Sequence, residues 1–285
     1  MNCVRKVECA SWVGCVYGTA FAYMPNLKTV TLPKEVGAST SLFPVSATSN
    51  AFMGCNSLTG LVIPNPNGTQ TTLALGTQTF WGTMSLRYVS IPYGATLSGN
   101  QVFMQSSILC VYAYGGSASG STSIFYICNN SAKRVAWGAG TCSSISTNFT
   151  YYNESLIKLD FSKMTIATLP GSFAAYNNNL KEVGIPAGLT EVPATMFAYS
   201  RSIESLDFSA SNIASIAASA FTTCTLCLLY KFTGCTAVPT LANTNAFTGI
   251  NPNAKIVVPD SLVTSWKAAS NWSTYASYIV GESDV

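Results

Sequence analysis

The cysteines are the residues of this chain whose spacing first points to chemistry. Cys224 and Cys227 have the C-x-x-C spacing, and Cys235 follows shortly after them. A structural zinc site needs four ligands in tetrahedral geometry, and neither a second cysteine pair nor a histidine follows this group. The spacing therefore predicts free thiols here, and we expect no metal and no cofactor.

Other cysteines occupy a recurring position. Cys55, Cys128 and Cys224 each follow a phenylalanine by three residues. A small, half-buried site in a repeated unit suits a free thiol, so this position predicts a structural role. Cys3, Cys9 and Cys15 are evenly spaced, at an interval that fits neither a zinc site nor a redox pair. Disulfides are an alternative if the protein is exported.

Three carboxylates recur at comparable places. Asp160, Glu182 and Asp207 fall on outward positions of successive predicted strands. Acid–base catalysis needs paired carboxylates in a cleft, whereas charges on an exposed sheet are usually solvated. The chain also has no histidine, which removes the commonest general base at neutral pH. We therefore predict that the protein is not an enzyme.

The elements that carry these residues are repeated units. Phe125, Phe149, Phe173, Phe197 and Phe221 recur at one constant interval, and a fixed period of this length is typical of a solenoid. One unit cannot bury its own apolar face, but stacked units bury equivalent residues in ladders through a common core. The spacing predicts that these rings form one such ladder.

Each unit has the same internal pattern. Leu180, Val183 and Ile185 follow an L-x-x-V-x-I spacing, whose last two members alternate as in a strand with one buried face. Pro186 removes a backbone donor and ends the strand. Phe197 then closes the unit. Phe232 does not fit the constant phenylalanine interval, so we expect it to contribute less to the core.

The segment LKEVGIPAGLTEVPATMF (180–197) resembles the BspA-type leucine-rich repeats of bacterial surface proteins, L-x-x-I-x-I-P-x-x-V-x-x-I-x-x-x-A-F-x-x-C. AFMGC (51–55) and the AFTTC around Phe221 match the end of that repeat. The resemblance covers nearly the whole chain. It implies a right-handed repeat solenoid with a parallel β-sheet on the concave face and short irregular or 3-10 segments on the convex face.

Composition excludes some classes of partner. Charged residues make up only 9% of the chain and the net charge is +3, so we expect no nucleic-acid partner. No apolar run is long enough for a spanning helix. The N-terminal segment after Arg5 and Lys6 is faintly similar to a signal peptide. However, Val13, Val16 and Phe21 match the repeat spacing, so we expect the chain to start inside a repeat.

The pattern divides the chain into two parts. Residues 1–259 are predicted to form a leucine-rich repeat solenoid of about ten or eleven coils, with KIVVP (255–259) as the last strand and loops at 34–50 and 65–78. Residues 260–285 are predicted to form a helical cap and tail, with Asp260 or Ser261 as N-cap. An open solenoid end exposes its core, so a cap is expected there. A partner-binding helix is the alternative for this segment.

The resemblance and the lack of catalytic groups together predict a non-catalytic binding or adhesion module at the cell surface or secreted, which recognises a protein or glycan. The alternative is a structural or receptor-binding subunit of a larger extracellular assembly, such as a virion tail or a filament. In that case a partner chain would cover the uncapped first coil. The predicted binding surface lies on outward positions of the concave strands: Tyr88, Arg134, Lys158, Asp160, Glu182, Ser205 and Asp207.

Overall fold

The structure of the chain is a computed structural model. It describes residues 4–8, 18–31, 50–62, 73–75, 78–91, 95–97, 102–103, 105–107, 110–113, 133–137, 140–141, 145 and 149–285. Phe125, Cys128, Cys3, Cys9 and Cys15 lie outside these residues, as does nearly all of the predicted loop at 34–50. Within the described part, no helix is both long enough and apolar enough to cross a membrane.

The described chain is built from short strands. In chain order they are β1 (Lys6–Glu8), β2 (Thr29–Thr31), β3 (Gly60–Val62), β4 (Leu73–Leu75), β5 (Tyr88–Ile91), β6 (Ala95–Leu97), β7 (Cys110–Ala113), β8 (Arg134–Trp137), β9 (Gly140–Thr141), β10 (Lys158–Asp160), β11 (Met164–Thr165), β12 (Glu182–Gly184), β13 (Glu191–Val192), β14 (Ser205–Asp207), β15 (Ser215–Ile216), β16 (Leu229–Lys231), β17 (Thr240–Leu241), β18 (Lys255–Val258) and β19 (Ile279–Gly281).

One strand from each coil contributes to a parallel surface, which we call the main face. It consists of three hydrogen-bonded blocks, in the orders β1-β2-β3, β5-β7-β8-β10-β12 and β14-β16-β18-β19. Every pairing in it is parallel, and successive blocks contact each other through β3 with β5 and through β12 with β14. The central residue of a strand, such as Leu159 or Leu206, is buried, while its neighbours face outward. The predicted repeat solenoid is confirmed.

Shorter parallel pairings run along a second side of the coil. They join β4 to β6, β9 to β11, and β13 to β15 to β17. The predicted loop at 65–78 is therefore wrong in part, because β4 lies within it and pairs with β6 in register. The Thr- and Gly-rich composition of this segment hid the strand, since it lacks the apolar repeat spacing of the other units.

The phenylalanine ladder is present but interrupted. Phe21, Phe52, Phe80 and Phe103 form a continuous parallel stack with centroids 5.3–5.5 Å apart. Further along the chain, Phe149 stacks on Phe173 and Phe197 stacks on Phe221, which packs at a tilt against Phe247. Phe149, Phe173, Phe197 and Phe221 are all buried, so their predicted place in the core is confirmed. The described structure shows no ring contact between Phe173 and Phe197, so the ladder is interrupted there.

A change of backbone position explains the interruption. The amide of Ala174 donates to the carbonyl of Met196, just as the amide of Phe197 donates to the carbonyl of Ala220. Ala174 and Phe197 therefore occupy equivalent places, and Phe173 lies one residue earlier in its turn. Phe161 packs edge-on against Phe173, with centroids 5.3 Å apart, and so fills the space beside the shifted ring.

A second column of core side chains lies just beyond the main-face strands. The amide of Phe208 donates to Lys231, and the amide of Phe232 donates to Val257, so Phe208, Phe232 and Val258 are equivalent. Phe232 is fully buried and stacks on Phe208 with centroids 5.1 Å apart. The expectation that Phe232 contributes less to the core is therefore wrong. Phe232 does not fit the constant phenylalanine interval because it belongs to this second column and not to the ring ladder.

Left-handed backbone conformations close the described turns that follow the ladder phenylalanines. Gly54, Gly82 and Gly249 have positive φ there, a conformation that glycine adopts without steric cost. In other coils the same place is taken by tyrosine, as at Tyr176 and Tyr199, whose φ values are 60° and 61°. The rings of these two tyrosines stack 4.7 Å apart, which offsets part of the backbone strain.

The C-terminal segment covers the last coil, as expected, but only part of it is helical. It contains α1 (Val263–Ala268) and the 3-10 turns Asp260–Leu262, Trp272–Tyr275 and Glu282–Asp284; another 3-10 turn, Thr244–Phe247, precedes it. Trp266 and Trp272 are fully buried and pack edge to face, with centroids 5.3 Å apart. This segment thus supplies a core of its own against the coil end.

Two details of the predicted cap are wrong. β18 is not the last strand, because β19 extends the main face in parallel register with it. Asp260 is not a helix N-cap: α1 begins three residues later without a side-chain cap. The Asp260 carboxylate instead accepts hydrogen bonds from the amide and hydroxyl of Ser283, at 3.2 and 3.1 Å. It thereby ties the start of the cap to its end.

Candidate functional site

The alternation of the main-face strands places every predicted binding residue on the outward side. Tyr88, Arg134, Lys158, Glu182 and Ser205 each begin a strand, whose second residue points inward. The inward neighbours Val89, Val135 and Leu206 are buried. The packed core therefore fixes the backbone positions from which these outward side chains extend, as a binding surface requires.

Lys158 is the centre of a small charged cluster. Its Nζ lies 3.0 Å from Oε2 of Glu182 and 4.0 Å from Oδ2 of Asp160. Arg134 is its register partner on the next strand. The hydrogen bond from Lys158 to Glu182, with the charge of that carboxylate, raises the pKa of the Lys158 ammonium. The structure thus brings together Arg134, Lys158, Asp160 and Glu182.

Asp160 and Asp207 have local partners that the sequence pattern did not predict. Oδ1 of Asp160 accepts from the amide of Ser162 at 3.1 Å and from its hydroxyl at 2.7 Å. Oδ1 of Asp207 accepts from the amide of Ser209 at 2.9 Å. Side chains of this kind stabilise a turn two residues on. Both carboxylates therefore stabilise the turn that follows their strand, in addition to facing solvent.

Gly184 shapes the site and was not among the predicted residues. A Cβ at this position would lie 2.2 Å from Oδ1 of Asp160, far inside van der Waals contact. Glycine therefore leaves room for the Asp160 carboxylate in its turn. The available signal was a glycine at the third strand position, where the neighbouring coils carry aspartate.

A shallow polar cavity of about 260 Å³ opens on this part of the main face. Its lining residues are Lys158, Asp160, Ser162, Lys181, Glu182, Val183, Gly184, Glu204 and Ser205. Four of the predicted residues therefore share one depression. Tyr88 lies on β5, three strands away from β10, or about 14 Å at the usual strand spacing. This tyrosine is 66% exposed, so it forms a separate contact point on the same face.

The recurring cysteine position is fully buried, not half-buried as expected. The thiol of Cys55 donates to the carbonyl of Phe21 at 2.9 Å, and that of Cys224 donates to Phe197 at 3.2 Å. Each thiol thus satisfies a carbonyl of the preceding coil. Cys55, Cys110, Cys224, Cys227 and Cys235 are all free thiols. Among the described residues no three side chains of the metal-binding types converge.

Burial should make the thiols near Cys227 sensitive to alkaline pH. Desolvation raises the pKa of Cys227 from 9.0 to about 11 and raises that of Cys224 further. The pKa of the Cys227 thiol is higher in the folded state than in the unfolded state. Its contribution to the free energy of unfolding is therefore fully present below pH 9.0 and is lost as the pH rises through the folded-state pKa. We expect the free energy of unfolding to fall between pH 9 and pH 11 in urea titrations. The Cys227→Ala variant, which lacks this group, should show a shallower fall; an equal slope would contradict the assignment.

Two of the solved structures that match this chain are leucine-rich repeat proteins of bacteria. One from Bacteroides ovatus is 14% identical, with a TM-score of 0.50, over 98% of this chain and 76% of its own. A second, described as a leucine rich cell surface protein from Faecalibacterium prausnitzii, is also 14% identical, with a TM-score of 0.37, over 89% of this chain and 78% of its own. No curated protein sequence matches significantly.

The repeat itself gives the more specific comparison. The model of the BspA type leucine rich repeat region matches at residues 45–166, 121–228 and 143–269, with six copies in all. These matches span most of the chain. They include the main-face strands from β3 to β18 and the turns with the buried cysteine position. The chain belongs to the BspA-type leucine-rich repeat family.

Proposed function

We propose that this protein is a non-catalytic binding module, displayed on a cell surface or secreted, that recognises a protein or a glycan through its main face. The observation that carries the proposal is the charged cluster around Lys158, which is held by ion pairs on a rigid parallel sheet. Fixed side chains lose little freedom when a ligand binds, and this favours affinity.

Further features support the proposal. The face is broad and continuous, which is the property that solenoids use for recognising large ligands. Tyr88 and Arg134 are of the residue types enriched at binding hot spots, and both are exposed. Proteins of this repeat family are often surface proteins with binding roles. Charged groups that share one exposed face with the Tyr88 ring are typical of an interaction surface rather than of a catalytic cleft.

The proposal predicts that ligand binding depends on the charged cluster. A protein and glycan array would first provide a ligand. The Arg134→Ala, Lys158→Ala, Glu182→Ala variant should then bind it at least about tenfold more weakly, because hot-spot truncations cost about 2 kcal/mol or more and about 1.4 kcal/mol corresponds to tenfold in Kd. The measurement is the Kd by biolayer interferometry, with circular dichroism to verify the fold.

A matched variant controls for the change in charge. Lys163→Ala, Glu191→Ala and Arg201→Ala remove the same kinds of charge from exposed positions outside the main-face strands. This control should keep wild-type affinity. Equal binding by the folded cluster variant and the wild type would show that the ligand lies elsewhere and would refute the main-face proposal.

A further inference from the structure

The charges of this chain are unevenly divided along its length. Seven basic and two acidic residues precede position 151, whereas seven basic and nine acidic residues follow it. The solenoid converts this linear imbalance into a spatial one, since each coil adds to one end of the stack. The first part of the chain thus carries a net positive charge, although the whole protein is close to neutral.

Four of these seven cations lie along one line together with a lysine from the later part, and we call this line the basic row. Each of its members is the residue immediately before a main-face strand: Arg5, Lys28, Arg87, Lys133 and Lys181, before β1, β2, β5, β8 and β12. All five are exposed. Backbone bonds confirm the alignment, because the amide of Lys28 donates to the carbonyl of Arg5 and the amide of Lys158 donates to that of Lys133.

The side chains of the basic row do not form ion pairs with the described carboxylates of the chain. Among the described residues, no carboxylate lies within ion-pair distance of its five members, whereas Lys158 and Lys6 do have such partners. Arg87 is positioned by a hydrogen bond from Nη1 to the carbonyl of Ser107 at 3.1 Å. The row ends at Glu204, which occupies the same place before β14. Its positive charges are therefore available to an external anion.

The spacing of the row is regular. Lys28, Arg87, Lys133 and Lys181 precede every second strand of the main face, with Thr59 and Ile157 among the residues between them. Two strand spacings separate neighbouring cations by about 9–10 Å. From Arg5 to Lys181 the row extends over roughly 34 Å at the same spacing. A linear ligand whose negative charge repeats at a comparable interval would meet all of them.

The row also includes a depression between two of its cations. A cavity of about 350 Å³ is lined by Lys133, Ser155, Ile157, Asn179 and Lys181. Asn179 is held in place by a hydrogen bond from Nδ2 to the carbonyl of Glu154. Hydroxyl and amide groups beside an apolar floor, with an ammonium on either side, match the mixed surface of a charged sugar ring. This site lies next to the Lys158 cluster, since Lys181 also borders that cavity.

We propose that the basic row binds a linear acidic polysaccharide, one that carries a carboxylate or a sulfate on every second sugar. This inference rests on the proposed binding function and specifies a ligand class for it. A nucleic acid fits less well, because its phosphates are several times denser along the chain than these cations. Single strands would also need a series of stacking rings, and among the side chains that the structure describes Tyr88 is the exposed ring directly next to a member of the row.

The test uses two acidic probes of equal charge spacing: hyaluronan, with one carboxylate for every two sugars, and monosulfated keratan sulfate, with one sulfate for every two sugars. Neutral dextran and duplex DNA are the comparison ligands. Wild-type protein should bind at least one acidic probe, should not bind neutral dextran, and should lose affinity as the salt concentration rises. Which acidic probe binds more tightly identifies carboxylate or sulfate as the preferred group.

The Lys133→Gln, Lys181→Gln variant should weaken this binding roughly tenfold, as expected for the loss of two exposed ion pairs. The Lys163→Gln, Lys267→Gln variant removes the same charge from exposed positions off the row and should bind as the wild type does. Equal losses in both variants, or none in the first, would overturn the assignment. So would tighter binding of DNA than of either acidic probe.

The outcome can be separated from that of the main-face proposal. If no acidic polysaccharide binds but an array ligand is lost in the Arg134, Lys158 and Glu182 variant, the basic-row inference fails and the main-face proposal stands. If an acidic probe binds through Lys133 and Lys181 while no array ligand depends on Arg134, Lys158 and Glu182, the basic row is the binding site and the main-face proposal fails.

Discussion

Replacing Phe221 with alanine should lower the free energy of unfolding by about 3–5 kcal/mol, the usual range for a buried phenylalanine. Phe221 is fully buried, and its ring contacts Phe197, Phe208, Tyr230, Phe232 and Phe247 at centroid distances of 4.9–6.5 Å. It thus joins the ring ladder to the second core column. Urea denaturation followed by circular dichroism would measure the loss.

Two comparison variants make this result specific. Phe232→Ala should cost a similar amount, because Phe232 is equally buried in the second column. Leu226→Ala should change stability by less than about 0.5 kcal/mol, since Leu226 is 55% exposed. Sub-kcal losses at both phenylalanines would contradict the two-column description of the core.

Ending the chain after Pro259 should make the protein self-associate. The truncation removes β19, which pairs with β18, and the two buried tryptophans that cover Phe232 and Phe247. It therefore exposes both an unpaired strand edge and an apolar coil end, and either is a known route to aggregation. Size-exclusion chromatography with light scattering should detect oligomers or precipitate.

A second truncation serves as the control. A chain that ends at Gly281 keeps β19 and both tryptophans, and loses only the final 3-10 turn with its contacts to Asp260 and Lys255. It should remain monomeric with a modestly lower melting temperature. If the chain ending at Pro259 were monomeric with unchanged melting, the C-terminal segment would be an independent appendage.

The fold could be predicted because its main determinant is the spacing of apolar residues. Alternation in the strands and a constant interval between phenylalanines identify a stacked parallel coil. The interval did not reveal the broken ladder. Phe173 and Phe197 keep the same sequence interval as their neighbours, but β12 and β14 begin one residue closer together than β10 and β12 do. The turn that contains the phenylalanine accommodates this shorter interval between strands, because the ring can be carried at either of two adjacent backbone positions there.

The candidate site was predictable in its positions and less so in its interactions. Outward strand positions follow from alternation, and the parallel stacking of the coils then places Lys158 within 3.0 Å of Glu182. The partners of Asp160 and Asp207 depend on a serine two residues later and on turn geometry. The sequence does not reveal the basic row, because its members are far apart in the chain, each on a different coil, and are aligned only when the coils stack.

The interrupted ladder also limits how this protein could lengthen by internal duplication. A copied coil fits without loss only where its ring meets an equivalent ring on both sides, as within 197–247. A copy of the same coil inserted between Phe173 and Phe197 would meet an equivalent ring on one side only. On its other side, a ring in the place of Phe161 would be needed to fill the space beside the unmatched ring. We therefore expect relatives to differ in the number of coils within the stretches where successive rings stack. We expect each of them to keep one interruption of the ladder, like that between Phe173 and Phe197.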